Sequence, residues 1–198
     1  MSERFSAATA YEALGGTGAL SRAIKPVSAD MYLWGRAFTV LSAPGDNLRL
    51  HQAIYRAEPG DVLVVSCSGG YDHGYWGEVM TVAAIERRLA GLVIDGCVRD
   101  GRRIAELAFP VFTRGQCVVG TTKDDGLPGG VGVPISIEGL TVSTGDFIVG
   151  DLDGVVVVGA SGVDEFIEAH RRREEREQGQ FAELRAGRST LEIFGLTE

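Results

Sequence analysis

"DVLVVSCSGGYDHGYWGEVMTVAAIERRLAGLVID", residues 61–95, holds two apolar runs, Asp61–Ser66 and Gly91–Asp95, on either side of a segment with the composition of a helix. Both runs are short and rich in Val, Ile and Leu, as a strand buried on both faces must be. The spacing predicts a helix over 76–89 that carries the chain back along the sheet, so that the two strands lie parallel and adjacent. Parallel neighbours deliver their following loops to one edge. That edge is where open α/β sheets bind ligands.

The flanking sequence extends the same pattern. "SAATAYEALGG" reads as a short helix ended by Gly15 and Gly16, "RAFTVLSAPG" as a strand, and "DNLRLHQAIYRAEPG" as a helix capped by Asp46 and stopped by Pro59-Gly60. "SGGYDHG" is a glycine-rich loop, "GRRIAELAF" a short helix, and Pro110 leads into the strand "VFTRGQCVVG". "VPISI", "LTVSTGDFIVGD" and "GVVVVG" are further strands, with Asp95-Gly96 and Asp153-Gly154 read as turn dipeptides. From Ser161 the chain becomes the charged helix "VDEFIEAHRRREEREQ", whose charges read as a solvated face. The expectation is an α/β fold with a parallel core and an antiparallel extension, one domain over 1–198 with 161–198 as a polar C-terminal helical extension.

A net charge of −8 argues against a general nucleic-acid binder, which needs a basic surface, but leaves room for a small anion in a local positive pocket. No apolar run approaches bilayer-spanning length, and Met1-Ser2-Glu3-Arg4 leads into mixed polar sequence, so no membrane association and a cytoplasmic location are expected. Cys67, Cys97 and Cys117 are widely spaced and odd in number, which fits reduced, mostly buried thiols. Lys25 and Lys123 are the two lysines, and neither context resembles the dry pocket of a Schiff-base lysine. Carbonyl chemistry here points to a metal ion instead.

Chemistry concentrates where the loops after the two central strands converge. The first, "GYWGE", ends at a helix N-terminus, where the amides of Gly77, Glu78, Val79 and Met80 are placed to hold a carboxylate. The second, "GCVRDG", brings Arg99, whose planar fork suits a carboxylate or carbonyl oxygen, and Asp100, an oxygen ligand for a hard cation such as magnesium. Together they suit a 2-oxo acid, with its carboxylate on the amides and Arg99 and its keto oxygen toward the cation. Cleaving the adjacent carbon–carbon bond leaves an enolate that such groups stabilise. The plainer alternative makes Asp100 a helix N-cap, Arg99 a surface charge and Glu78 a first-turn residue favoured by the helix dipole. Asp95 is close enough in sequence to orient Arg99, and Tyr71, His73 and Trp76 are placed to line the rest of the pocket. His51 has no assigned role.

Gly77-Glu78, the residues 79–98, then Arg99-Asp100 resemble the pattern of the RraA-like aldolases, and "GRAFTV", "PGDVLVV", "GLVIDGCVRD", "PVFTRG" and "GDLDGVVVV" extend the resemblance over about residues 6–160. The resemblance implies an αβα-layered, phosphohistidine-domain-like fold with a mixed sheet and a C-terminal helix, assembled as homotrimers or homohexamers with sites between subunits. It implies a class II aldolase that uses a divalent metal, Mg2+ or Mn2+, to release pyruvate from a 4-hydroxy-2-oxo acid, commonly with oxaloacetate decarboxylase activity. By the same resemblance Asp100 is the metal ligand, Arg99 the pyruvate-binding arginine, Glu78 the acidic position that works through metal-bound water, and residues 77–80 the carboxylate cradle. Many members carry Asp where this chain has Glu78. An acidic residue supplied by a neighbouring subunit has Asp164, Glu165 and Glu168 as candidates. The alternative function within the resemblance is a non-enzymatic regulator that binds a ribonuclease. A methyltransferase is disfavoured, because "ALGGTGAL" precedes the first strand instead of following it.

Overall fold

The computed structural model describes residues 4–197; Met1 to Glu3, part of the N-terminal stretch read above as free of a signal core, lie outside them, as does Glu198. In chain order the elements are α1 (Ala7–Ala13), β1 (Lys25–Pro26), β2 (Leu33–Leu41), α2 (Leu48–Arg56), β3 (Asp61–Ser66), β4 (Gly74–Trp76), α3 (Glu78–Glu86), β5 (Gly91–Val98), α4 (Gly101–Glu106) and β6 (Val111–Gln116). There follow β7 (Gly130–Val131), β8 (Ile135–Ile137), β9 (Leu140–Val142), β10 (Phe147–Asp151), β11 (Gly154–Val158), α5 (Val163–Arg185) and α6 (Thr190–Phe194).

The main sheet runs β1-β6-β5-β3-β2-β10-β11. β6, β5, β3 and β2 are mutually parallel, while β1, β10 and β11 join antiparallel at the margins. The chain is therefore an α/β protein with a mixed sheet, as its sequence implies. β3 is buried at every residue and β5 at all but Cys97, because helices and the β8–β9 hairpin cover these strands. At the margin the side chains alternate. Val149, Val156 and Val158 face α1 and α5 in a small cluster with Phe5 and Phe166, whereas Ile148, Val155 and Val157 join the main core with α2, α3 and α4.

Several local readings are corrected. "LTVSTGDFIVGD" is not one strand but two, β9 and β10, in different sheets. Trp76 belongs not to the helix but, with Tyr75, to β4, which pairs with the end of β5 through Gly74–Cys97 and Trp76–Val98, so the crossover helix begins at Glu78. Their apolar character is shared by strand and helix, and pairing with β5 decides the matter. Asp95-Gly96 is no turn: β5 continues through it to Val98, with a register shift against β6 between Ile94 and Cys97, and a Cβ on Gly96 would approach Cys67 Sγ to 2.7 Å. The N-cap of α2 is Asn47, with the Asp46 carboxylate accepting from the Leu48 amide at 2.9 Å. Finally, Cys67 alone of the three free cysteines is fully buried, the other two being half-buried.

Candidate active site

Because β3, β5 and β6 are parallel, the segments after them meet at one edge of the sheet. The loop after β3 returns through β4 to the start of α3, the loop after β5 carries Arg99 and Asp100, and the segment after β6 leads through Cys117 to Thr122. Main-chain bonds fasten the three together: Arg99 N donates to Trp76 O at 2.8 Å, Cys117 N to Val98 O at 2.8 Å, and Gly74 N to Val119 O at 2.8 Å.

Asp100 is not an ordinary helix cap. It occupies the N-cap position of α4, but in the left-handed conformation (φ 58°), and its side chain makes no bond to its own helix. An ordinary cap sits in the extended region and accepts from the next turn. Instead the Asp100 carboxylate crosses to α3, where Oδ2 accepts from the Glu78 amide at 3.1 Å and lies 3.8 Å from Arg99 Nε. Glu78's amide is thereby occupied, so Val79 and Met80 remain as the helical amides of the expected cradle. The close approach depends on Gly77: a Cβ there would collide with Asp100 Oδ2 and stand 3.1 Å from Arg99 Cγ. Glu78 itself is held by Arg103 of α4, Nε to Oε1 at 3.2 Å, and is not among the residues that line the cleft bordered by Arg99 and Asp100. The sequence placed Arg103 in a short helix and gave it no role.

Arg99 and Asp100 line a cleft of about 260 Å³ whose floor is Tyr75, Trp76 and Met80. Gly77, Val79 and Met80 of the expected cradle line it as well. The Tyr75 phenol is pushed up to about 12 by burial and remains protonated, and its oxygen accepts from Gly45 N at 2.7 Å. Trp76 fulfils its expected place on the wall, with Nε1 donating to Thr81 Oγ1 at 2.8 Å. Tyr71 and His73 do not: Tyr71 lies against the Arg114 guanidinium, and His73 packs edge-on to Tyr75 beneath Gly45. Asp95 likewise leaves Arg99 alone, its carboxylate being taken by Arg114 Nε at 2.5 Å and by the Tyr71 hydroxyl at 3.4 Å.

The cleft is also lined by residues to which the sequence assigned no role in the site: Asn47 and His51 at the start of α2, and Thr121 and Lys123 of the segment after β6. Asp46 ties these two pieces together. Its Oδ2 accepts from the Thr122 hydroxyl (2.9 Å) and the Asp124 amide (2.7 Å), while Oδ1 accepts from Leu48. Burial works against ionisation of Asp46, yet these three donors outweigh it and hold its carboxyl below the usual aspartate range. His51 is pushed down by burial and by the Lys123 charge.

Among the described residues no cluster of three or more His, Cys, Asp or Glu side chains could by itself hold a metal ion. A zinc-type cage is thus not offered by one chain. The donors present, Asp100 with Glu78 nearby, fit a hard cation that keeps most of its own water and takes one or two carboxylates from the protein. No helix among the described residues is long and apolar enough to cross a membrane.

Comparison with known proteins gives the family of the chain. A protein of Halalkalibacterium halodurans, provisionally named 4-hydroxy-4-methyl-2-oxoglutarate aldolase, is 40% identical over 74% of this chain and 69% of its own length. A solved structure of an uncharacterised Pseudomonas syringae protein superposes with a TM-score of 0.82 at 31% identity, covering 96% of this chain and 92% of that one. A Streptomyces coelicolor structure, described as an unusual member of the RNase ES inhibitor RraA family, superposes with a TM-score of 0.78 at 29% identity, covering 91% and 93%. The RraA-like family, described as Aldolase/RraA, matches residues 7–157, and the chain belongs to it.

Proposed function

We propose that this protein is a divalent-metal-dependent lyase that cleaves a 4-hydroxy-2-oxo acid to pyruvate by a retro-aldol reaction and also decarboxylates oxaloacetate. The observation that carries the reading is Asp100: a left-handed residue whose carboxylate turns from its own helix to the N-terminus of α3, beside Arg99 and at the wall of a cleft. The aldolase names of the relatives support the lyase assignment.

Asp100, with Glu78 in support, would hold the cation, Mg2+ or Mn2+, which when bound supplies Lewis-acid polarisation of the 2-keto group. Arg99 binds the substrate carboxylate with its planar fork, and the amides of Val79 and Met80 add the positive end of the α3 dipole. Glu78, which is not itself among the residues lining the cleft, would take up the proton of the C4 hydroxyl through an intervening water. The C3–C4 bond then breaks, its electron pair forms the enolate of pyruvate, and the second fragment leaves with a new carbonyl. Arg99 stabilises the enolate charge until C3 is protonated. With oxaloacetate the same bond releases carbon dioxide and leaves the same enolate.

A homo-oligomer, trimer or hexamer, is part of this reading. Val79, Val118 and Val119 stand exposed beside the cleft, with Val118 91% accessible, and a neighbouring subunit would cover them.

The test is pyruvate release, coupled to lactate dehydrogenase, from 4-hydroxy-4-methyl-2-oxoglutarate and from oxaloacetate, with magnesium or manganese and again with a chelator. Metal-dependent release is the expected result. Absence of turnover on both, together with capture of a ribonuclease, would replace this reading with the regulatory one, for which the Streptomyces coelicolor relative and the −8 charge speak.

A further inference from the structure

The long helix α5 carries a second concentration of positive charge, on a surface that shares no residue with the cleft. Residues 169, 172, 173 and 176 fall on one face of this helix. With Glu12 and Ala13 at the end of α1 they line an open groove of about 410 Å³. Three guanidiniums face one carboxylate there, a surplus of two positive charges in a chain of net charge −8.

Arg173 is accounted for, since it pairs with Glu12 across the groove and with Glu177 at 3.1 Å, and so clips α5 to α1. Arg172 and Arg176 are not. Among the described residues neither makes an ion pair or a hydrogen bond. Carboxylates stand within helical reach, yet Glu168 pairs with Arg171 at 3.1 Å, Glu174 lies 3.8 Å from His170, and Glu175 meets neither arginine. Arg172 and Arg176 are one turn apart, a spacing at which like charges weaken a helix. Ala13 and Ala169 present only methyl groups to the groove, which leaves it open to a ligand.

We infer that this groove binds a phosphoryl dianion, either free phosphate or the phosphate end of a small monoester, held by Arg172 and Arg176. Their planar forks suit phosphate oxygens, and Arg173, fixed by its two glutamates, adds its charge. A dianion offsets the whole surplus and turns the repulsion between the two arginines into a shared contact, whereas a lone carboxylate offsets half of it. A phosphodiester polymer would have to lie along an acidic protein. The site is independent of the lyase reading.

Calorimetric titration of inorganic phosphate and of glycerol 3-phosphate, at constant ionic strength in chloride buffer, tests it. The variants are the double Arg172→Gln, Arg176→Gln, which changes two exposed side chains and keeps the Glu12–Arg173 clip, and Arg99→Ala, which removes the guanidinium of the cleft. The wild type is expected to bind one ligand per chain. Affinity should fall about tenfold or more in the double variant, the scale of one lost charge-assisted contact, and stay unchanged in Arg99→Ala. Glycerol 3-phosphate binding as tightly as phosphate would assign the groove to phosphorylated metabolites, and binding of phosphate alone would assign it to the free ion. Absence of saturable binding, binding that persists in the double variant, or binding lost in Arg99→Ala would overturn the site.

Discussion

Two arginine–aspartate pairs flank the end of β5, and they are built to opposite purposes. Asp95 and Arg114 are both nearly inaccessible, bonded at 2.5 Å, and backed by Tyr71 over the guanidinium and by Glu138 on its far side. Arg99 and Asp100, one turn of chain further on, are about half exposed and stand 3.8 Å apart. In the first pair the guanidinium donates to two carboxylates; in the second it stands beyond hydrogen-bond distance of its partner, whose carboxylate reaches across to another helix. Composition is the same in both. The difference lies in how much of the hydrogen-bonding capacity remains for a ligand.

Removing one partner of each pair is the sharpest way to break that contrast. Arg114→Met strands a buried Asp95 carboxylate and is expected to cost about 3–5 kcal/mol of stability, seen as a lower midpoint in denaturant unfolding. Arg99→Ala is expected to lower kcat/KM for pyruvate release by roughly 10²–10³-fold, while its unfolding midpoint stays within about 0.5 kcal/mol of wild type. If Arg99→Ala unfolds the protein and Arg114→Met spares it, the contrast is wrong. Gly77→Ala sharpens it further. The new methyl group meets Asp100 Oδ2 and should displace it, lowering kcat/KM by up to about 10²-fold in the same coupled assay.

The smallest effect belongs to Asp46, which orders the Lys123 segment of the cleft through hydrogen bonds alone. Asp46→Asn is expected to cost about 1–3 kcal/mol near neutral pH. It should also change the response to acid. A carboxyl held low in the folded state contributes stability that is complete above about pH 4, the unfolded value, and is lost as pH falls through the folded value. Acid unfolding followed by circular dichroism should therefore be less steep in the variant below that pH.

Much of this was legible in the sequence because it depends on local pattern. The parallel pairing of β3 with β5 follows from two apolar runs at crossover spacing, and it brings Glu78, Arg99 and Asp100 together without any further assumption. What was not legible depends on partners distant in sequence. Tyr75 and Trp76 carry an apolar pattern that fits either element, until pairing with Cys97 and Val98 makes them a strand. Asp95 looked like a neighbour of Arg99 because they are four residues apart, but residues separated by an odd bulge in β5 no longer share a simple alternation, and Arg114 on the adjacent strand is nearer. Lys123 and His51 meet only because Asp46 joins the start of α2 to a segment far along the chain. The one local hint was the scarcity of lysine itself.

The place of β2 in the sheet has a consequence for the order in which the protein can be made. Arg36 pairs with Asp61 on one side, a short crossover away, and with Phe147 on the other, roughly a hundred residues later. A chain emerging from the ribosome can thus complete β2, β3, β5 and β6, with the whole Arg99–Asp100 edge, while one side of β2 still shows its unpaired amides and carbonyls. Closure of that edge waits for the β10–β11 hairpin, a long-range event that slows folding. Chain release before Val158 would leave the Arg99–Asp100 edge assembled on a sheet prone to pair with its neighbours.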